Sequence, residues 1–120
     1  MSIDRNPAVL IDIANACDLI GEFIRGNCKA DFDADLKLQS ALLHQLLILG
    51  DAARQLSSEF RAAHPEIDWS GYIGQRNVLI HRYPEVDLEK VWRVVVDEVP
   101  ELRRRIQPWL PDEFFKNSSQ

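Results

Sequence analysis

The stretch that decides the fold of this chain is LKLQSALLHQLLILGDAARQLSSEF, residues 36–60. Its apolar residues recur every three or four positions, which is the spacing of one buried helix face: Leu42, Leu46, Leu49, Ala53, Leu56 and Phe60. A neighbouring face carries Leu36, Leu43, Leu47 and Gly50, so the helix must bury two sides, and one is a candidate oligomer interface. We predict one helix of about 28 residues, capped by Asp33 or Asp35 and ended near His64 by Pro65.

Apolar residues with helical spacing also precede and follow this stretch. An upstream helix begins at Pro7 and ends at Gly26 or Asn27, with the stripe Leu10, Ile13, Cys17, Ile20 and Ile24. Downstream, a helix runs from Asp68 or Ser70 to Arg82, because Pro84 excludes the α conformation just before it. Asp87 caps a last helix, in which Pro100 predicts a kink or a new short helix. The run Val94–Val96 is strand-like, but its neighbours are helical. The sequence therefore predicts an all-α, antiparallel bundle of four to five helices.

Length and composition place the chain among small soluble proteins. Its 120 residues, 46% hydrophobic and 28% charged, suit a single domain, to which we assign residues 1–115, followed by a polar tail at 116–120.

Met1–Asn6 lacks the pattern of a secretory signal, and the apolar run Leu46–Leu49 is far too short to span a membrane. Cys17 and Cys28 lie eleven positions apart without a CxxC pair, which indicates reduced thiols and a cytoplasmic protein. The net charge of −5 argues against non-specific coating of nucleic acid.

One segment contradicts that average charge. Residues 69–84 contain Arg76, Arg82 and His81 but no acid. In a continuous helix, Asn77 would share a face with His81, and Arg76 with Tyr83, while residues 78–80 would tie the segment to the core. An arginine can clamp a phosphate and a histidine can move a proton, which are the two functions that metal-free cleavage of RNA requires. Two copies facing each other would supply both an acid and a base. From these residues alone, a surface pair at a helix end remains the favoured alternative.

The same residues resemble a known family. Arg76, His81 and Tyr83 match the R-x4-H-x-Y motif of the HEPN-domain RNase toxins of HepT/MntA toxin–antitoxin pairs, and Asn77 matches the polar residue that usually follows the motif arginine. The resemblance extends from about Pro7 to Leu110. It includes residues 42–52, then 64–69, then the motif, then Val86-Asp87-Leu88, Val91-Trp92 and Pro100-Glu101-Leu102 in the order of the family.

The resemblance implies an α-helical HEPN bundle that forms a homodimer with a composite RNase site. It implies Arg76 and His81 as catalytic residues that need neither metal nor cofactor, with Asn77 in support. It also implies a partner, an MntA-type nucleotidyltransferase antitoxin that silences the toxin by attaching AMP to Tyr83. Asp51 stands where the family commonly has Glu, so its supporting role is open. Pro84 follows Tyr83 where an aromatic residue is usual, which puts the geometry of modification in question, whereas Asp68 in place of a frequent Pro alters only the helix start.

Two further functions stay open. One is a catalytically weak HEPN module that binds a nucleotide or partner protein and regulates the nucleotidyltransferase. The other is a purely structural dimeric bundle. Individual residues also carry expectations. We expect His44 to be a core or interface histidine, with a catalytic role as the alternative, and His64 to be a solvated loop residue. We expect Trp69 and Trp92 to be core aromatics, with stacking on RNA bases as the alternative. The run Arg103–Arg105 is either the basic end of a helix or a contact for RNA or antitoxin, and Arg54 and Arg61 are candidates to line the cleft.

Overall fold

The computed structural model describes residues 4–118, which fold into α-helices without a strand in that range. This confirms the all-α prediction. The helices are α1 (Asn6–Ile24), α2 (Lys29–Ala34), α3 (Leu36–Gln55), α4 (Ser58–Ala63), α5 (Trp69–His81), α6 (Leu88–Arg93), α7 (Val99–Ile106) and α8 (Asp112–Ser118). Helix α8 includes the first residues of the predicted tail. The rest of that tail and the first three residues of the segment tested for a secretory signal lie outside the described residues.

Most helix ends fall where the sequence places them. Pro7 lies in the first turn of α1, and Gly26 follows its end at a positive φ of 77°, a conformation that glycine adopts without strain. The Asp35 side chain accepts hydrogen bonds from the first turn of α3, and Asp68 and Asp87 cap α5 and α6 in the same way. These three aspartates therefore satisfy backbone N–H groups that would otherwise lack a partner.

The prediction of one helix from Asp35 to His64 is wrong. Helix α3 ends at Gln55, because Leu56 and Ser57 adopt extended backbone conformations, and α4 starts afresh at Ser58. Ser57 caps α4 by accepting a hydrogen bond from the backbone N–H of Phe60 at 3.1 Å. The side chain of Asn6, at the start of α1, stabilises this break. It donates to the Ser57 hydroxyl at 3.1 Å and accepts from the Ser57 backbone N–H at 3.0 Å.

Helix α2 was not predicted. It starts at Cys28, whose backbone N–H donates to the Asp31 carboxylate at 2.8 Å. Helix α2 buries Phe32 completely, with its ring 5.1 Å from that of Trp92. Asp33, one of the two proposed caps of α3, instead pairs with Lys29 on α2.

The core lies where α1 packs against α3 and α7, and where α3 packs against α5. Its most deeply buried side chains, each at most 1% exposed, include Ile13, Ile20, Leu42, Leu46, Leu49, Val95, Val99 and Ile106. Cys17 is buried in this core and Cys28 is exposed, both as free thiols. Trp69 is buried and Trp92 is half-buried, in line with core aromatics. None of the helices within residues 4–118 is both long and apolar enough to cross a membrane.

The last long helix is interrupted just before Pro100, as predicted. A π-helical turn, Val94–Glu98, joins α6 to α7, and the backbone N–H of Val99 donates to the carbonyl of Val94, five residues back. Helix α7 then begins at Val99 with Pro100 in its first turn, a position that suits proline because its fixed φ is already helical. The valine run is thus helical, and Val94 and Val95 are buried.

Candidate active site

Close packing of α5 on α3 positions the motif arginine. At Gly50 an added Cβ would lie 2.5 Å from both the Cβ of Arg76 and the carbonyl oxygen of Tyr72. Real carbon atoms in contact stay roughly 3.5–4.0 Å apart, so only glycine allows this approach. Gly50 therefore sets the separation of the two helices at the point where Arg76 leaves α5.

The Arg76 guanidinium is held on two sides. Its Nη1 donates to the Asn77 side-chain oxygen at 2.9 Å, and its Nη2 lies 3.4 Å from the Asp51 carboxylate. The side chain is only 18% exposed, and its Nε is buried without a hydrogen-bond partner anywhere in the described part of the chain. A buried guanidinium N–H without a partner is unfavourable by about 1–3 kcal/mol. The guanidinium is thus fixed in place, and its unpartnered Nε is not accessible to solvent.

Asp51 is shared by three donors. Besides Arg76, it accepts from the Gln55 amide at 3.0 Å and from Arg54 at 3.3 Å. The structure therefore joins three of the predicted site residues, Arg76, Asn77 and Asp51, in one cluster through a hydrogen bond and an ion pair. Residues 69–84 contain no acid, but their two arginines have acidic neighbours from outside the segment, because α3 brings the Asp51 carboxylate to Arg76, and Glu85 lies 3.5 Å from Arg82.

His81 is the last residue of α5 and is exposed. It lies on the same helix as Asn77, four positions later, so the predicted shared face of these two residues holds. No hydrogen bond links the His81 ring to Arg76 or Asp51 within residues 4–118. The imidazole is therefore free to meet a substrate or a second chain.

Tyr83 lies beyond the helix. The backbone leaves the α conformation at Arg82, where φ is −140° and ψ is 43°, and Tyr83–Glu85 forms a 3₁₀ turn. The predicted helical register between Arg76 and Tyr83 is therefore wrong. Pro84 accounts for the change, because it disfavours the α conformation in the preceding residue and suits the start of a tight turn. The Tyr83 side chain is 53% exposed, which leaves its hydroxyl accessible.

An apolar surface adjoins the cluster. A groove of about 550 Å³ lies between α1, α3 and the end of α5, with Asp51 on its wall. It also carries Leu19 and Ile80, which are 37% and 44% exposed. Residues 78–80 are predicted to tie the motif to the core, but only Leu79 of these three is buried, while Val78 is half-buried and Ile80 is exposed. The second apolar face of α3 is also only partly buried: Leu43 and Gly50 are buried, Leu47 is half-buried and Leu36 is exposed.

Several other candidates lie elsewhere. His44 is exposed, so a core role for it is wrong, while the interface role and the catalytic role stay predictions. His64 is not a solvated loop residue, because its ring lies 3.9 Å from that of Trp109 and 4.6 Å from that of Phe60. Arg61 lines a separate cavity with Pro65 and Glu66, whereas Arg54 reaches the site through Asp51.

The basic run at the end of α7 is largely neutralised. Arg103 pairs with Asp18 at 2.8 Å, and both Arg104 and Arg105 pair with Glu101. This fits the basic end of a helix better than a contact surface for RNA. Across residues 4–118, no cluster of three or more His, Cys, Asp or Glu side chains is arranged to hold a metal ion.

Comparisons with known proteins agree on one family. The family model described as "Ribonuclease HepT-like" matches residues 13–108. A protein of Thermococcus cleftensis named "Probable ribonuclease HepT" is 39% identical over 98 residues, covering 82% of this chain and 89% of that protein. Relatives named as candidate RNases include one from Caldanaerobacter subterraneus, 33% identical over 84% of this chain and 90% of its own length. Another, from Methanocaldococcus jannaschii, is 29% identical over 83% of this chain and 92% of its own length. No solved structure matches.

Proposed function

The chain belongs to the HepT-like ribonuclease family, and on that premise we propose that it is an endoribonuclease that cleaves RNA without a metal ion. The observation that carries the proposal is the Arg76 guanidinium, which Asp51 and Asn77 hold in place on the same helix that ends at the exposed His81. The part of the Arg76 side chain that stays exposed, 18% of its surface, is where an oxygen of the scissile phosphate would bind. A guanidinium also suits a phosphate because its planar N–H groups match two oxygens at once.

The proposed reaction needs a base and an acid in addition to Arg76. A base removes the proton of the 2′-hydroxyl, whose oxygen attacks phosphorus, and the bond to the 5′-oxygen breaks as an acid protonates that oxygen. His81 suits both roles, because an imidazole changes protonation near neutral pH. Arg76 neutralises the charge that develops on the phosphate oxygens in the transition state.

One chain holds a single motif histidine, so we place the complete site between two copies. The apolar groove beside Asp51 supports this, because Leu19 and Ile80 expose apolar surface next to the motif. A homodimer built on this face would bring both copies of His81 to one cleft. Titrating the wild-type protein with an inactive His81→Ala form tests the arrangement. If both histidines are needed, activity follows the fraction of wild-type dimers and not the amount of wild-type protein.

Cleavage itself is tested with a labelled single-stranded RNA in the presence of EDTA. Arg76→Ala and His81→Ala should abolish it, whereas two matched substitutions should not. Arg54→Ala removes a different arginine from the same Asp51 carboxylate, and His44→Ala removes an exposed histidine from α3. Equal activity in the wild type and the four variants would contradict the assignment of the site. Loss of wild-type cleavage when EDTA is added would contradict metal independence.

We propose further that the chain is the toxin of a toxin–antitoxin pair and that a cognate nucleotidyltransferase silences it at Tyr83. In that step the phenol oxygen attacks the α-phosphorus of ATP, pyrophosphate leaves, and AMP remains attached. The exposed Tyr83 hydroxyl supports this, since Tyr72, the other tyrosine, is buried. The adduct would add negative charge two residues after His81 in the chain. Intact-mass measurement after co-expression should show AMP additions on the wild type and on Tyr72→Phe, and additions on Tyr83→Phe would refute the assignment.

The second candidate function is a catalytically weak module that binds a nucleotide or a partner protein. The observation in its favour is the ion pair of Arg76 with Asp51, which already neutralises part of the guanidinium charge. Calorimetric titration with AMP and ATP separates the two functions. Nucleotide binding that depends on Arg76, in a protein that leaves RNA intact, would support the module and not the enzyme.

A further inference from the structure

A second cavity, of about 270 Å³, lies between the start of α5, the π-helical turn and α7, and we call it the acidic notch. Ile67, Leu102 and the ring of Tyr72 supply its apolar wall. Five carboxylates also line it, against the single guanidinium of Arg105: Glu66, Asp68, Asp97, Glu98 and Glu101. The notch therefore combines apolar walls with a strongly negative lining.

The one cation of the notch leaves most of this charge unbalanced. Arg105 pairs with Glu101 at 3.0 Å, and Arg104 pairs with the same carboxylate. Asp97 and Glu98 have no ion-pair partner in the part of the chain that the structure describes. Asp68 accepts a hydrogen bond from the backbone N–H of Gly71 at 3.0 Å but contacts no cation there. The notch thus presents carboxylates that a cation from outside can satisfy.

Tyr72 adds an unpartnered hydroxyl to the notch. Its side chain is only 8% exposed, and its hydroxyl makes no hydrogen bond within residues 4–118. Burial raises the pKa of this hydroxyl well above its usual range, and electrostatic interactions with Cys17, Glu98 and Asp68 raise it further. Tyr72 therefore keeps its proton and can donate a hydrogen bond inside the negative cavity.

The notch continues into a groove. A small cavity of about 60 Å³ shares Asp68, Tyr72 and Glu98 with the notch and leads to a groove of about 330 Å³ between α5 and α6. Gly74 leaves this groove open, because a Cβ there would meet no atom within 4 Å. A chain segment entering the notch therefore has a path for the residues that flank the inserted side chain.

We propose that the acidic notch binds an arginine side chain presented by a segment of a partner protein, whose flanking residues lie in the groove along α5. A guanidinium fits the site because its planar N–H groups pair with carboxylates. The apolar walls suit the methylene stem of the arginine. The negative lining repels RNA phosphates, so this site is separate from the proposed nuclease site.

The test is an NMR titration of the ¹⁵N-labelled protein with an acetylated Leu-Arg-Leu-Val amide peptide. We expect saturable shifts of the amides of residues 66–72 and 97–102. The matched peptide with citrulline in place of arginine keeps the shape without the charge and should bind about tenfold more weakly or worse. Free arginine and spermidine are the comparison for a small-cation site. Shifts at other residues, equal binding of the citrulline peptide, or equally tight binding of a free cation would overturn the proposal.

Two double variants test whether the carboxylates of the acidic notch bind the arginine peptide. The double substitution Asp97→Asn, Glu98→Gln should weaken the arginine peptide about tenfold. Glu22→Gln with Glu59→Gln removes two exposed carboxylates from other helices and should leave binding unchanged. Peptide affinity that is equal in both double variants would refute the site. Cleavage of RNA by the notch variant should match that of the wild type, so failure here is distinguishable from failure of the proposed function.

Discussion

Replacing Gly50 with alanine tests whether the close approach of α3 and α5 positions Arg76. The new Cβ would lie 2.5 Å from the Cβ of Arg76 and from the carbonyl oxygen of Tyr72. Neither neighbour is the free end of a flexible side chain, so α5 itself must move away by about 1 Å to restore an ordinary contact. The substitution therefore changes the position of the candidate site without removing any of its functional groups.

The expected magnitude follows from two opposing effects. Overpacking of this kind destabilises a protein by about 1–3 kcal/mol. Alanine in a helix offsets up to about 1 kcal/mol of this relative to glycine. Gly74→Ala on α5 is the matched control, because its Cβ meets nothing within 4 Å. We expect the free energy of unfolding of Gly50→Ala to lie about 1–3 kcal/mol below that of Gly74→Ala.

Urea unfolding followed by circular dichroism measures this difference, and RNA cleavage under native conditions measures its effect on the site. A shift of about 1 Å at a catalytic group can lower the rate about 100-fold. We therefore expect Gly50→Ala to cleave RNA far more slowly while still folded, and Gly74→Ala to cleave it normally. Equal stability and equal cleavage in the two variants would show that Gly50 does not set the position of Arg76.

Three further results are expected. Asp51→Asn should lower both kcat and KM for RNA cleavage, because the Arg76 guanidinium loses an anchor while its charge becomes available to phosphate; an unchanged KM would count against this role. Asp35→Ala should lower the free energy of unfolding by about 1 kcal/mol in a urea titration, whereas Asp35→Ser keeps a cap and most of the stability. Burial raises the pKa of the Cys17 thiol to about 12, above its ordinary value. The buried, protonated thiol therefore contributes stability that is fully present below the unfolded-state pKa of about 8.5 and is lost as the pH rises toward the folded-state pKa. Iodoacetamide at pH 8 should accordingly modify Cys28 and spare Cys17 in the folded protein, as mass spectrometry can show; equal labelling of both thiols would contradict the burial.

Local sequence signals were sufficient for the helix ends that depend on one or two neighbouring residues. The aspartate caps at Asp35, Asp68 and Asp87 and the helix start at Pro7 act through their own backbone turn, so their effect can be read from the sequence. The break after Gln55 depends instead on Asn6, which lies 51 positions from Ser57 along the chain. Only the folded arrangement of α1 against α3 brings these two residues together.

For the candidate site, too, some features could be predicted from the sequence and others could not. The motif predicted Arg76, Asn77 and His81 as site residues, because their types and spacing indicate the chemistry. The pairing of Arg76 with Asp51 could not be derived from spacing, since it depends on the register of α3 against α5. The partial burial of His64 was missed because it depends on Trp109, far along the chain. The exposure of Ile80 was also missed, since helical spacing alone does not tell which apolar face remains uncovered.

The π-helical turn between α6 and α7 bears on how the length of this chain can change. Such a turn holds one more residue than a regular α-helical turn, so the residues before and after it keep their core positions despite the extra length. Deleting Val96, the exposed valine of the turn, should close it into a regular helix and leave Val91 and Leu102 facing the core. The same deletion in the middle of α3 would rotate every later core residue of that helix by about 100°. The chain therefore has one position in its packed helices where losing a residue need not disturb the core.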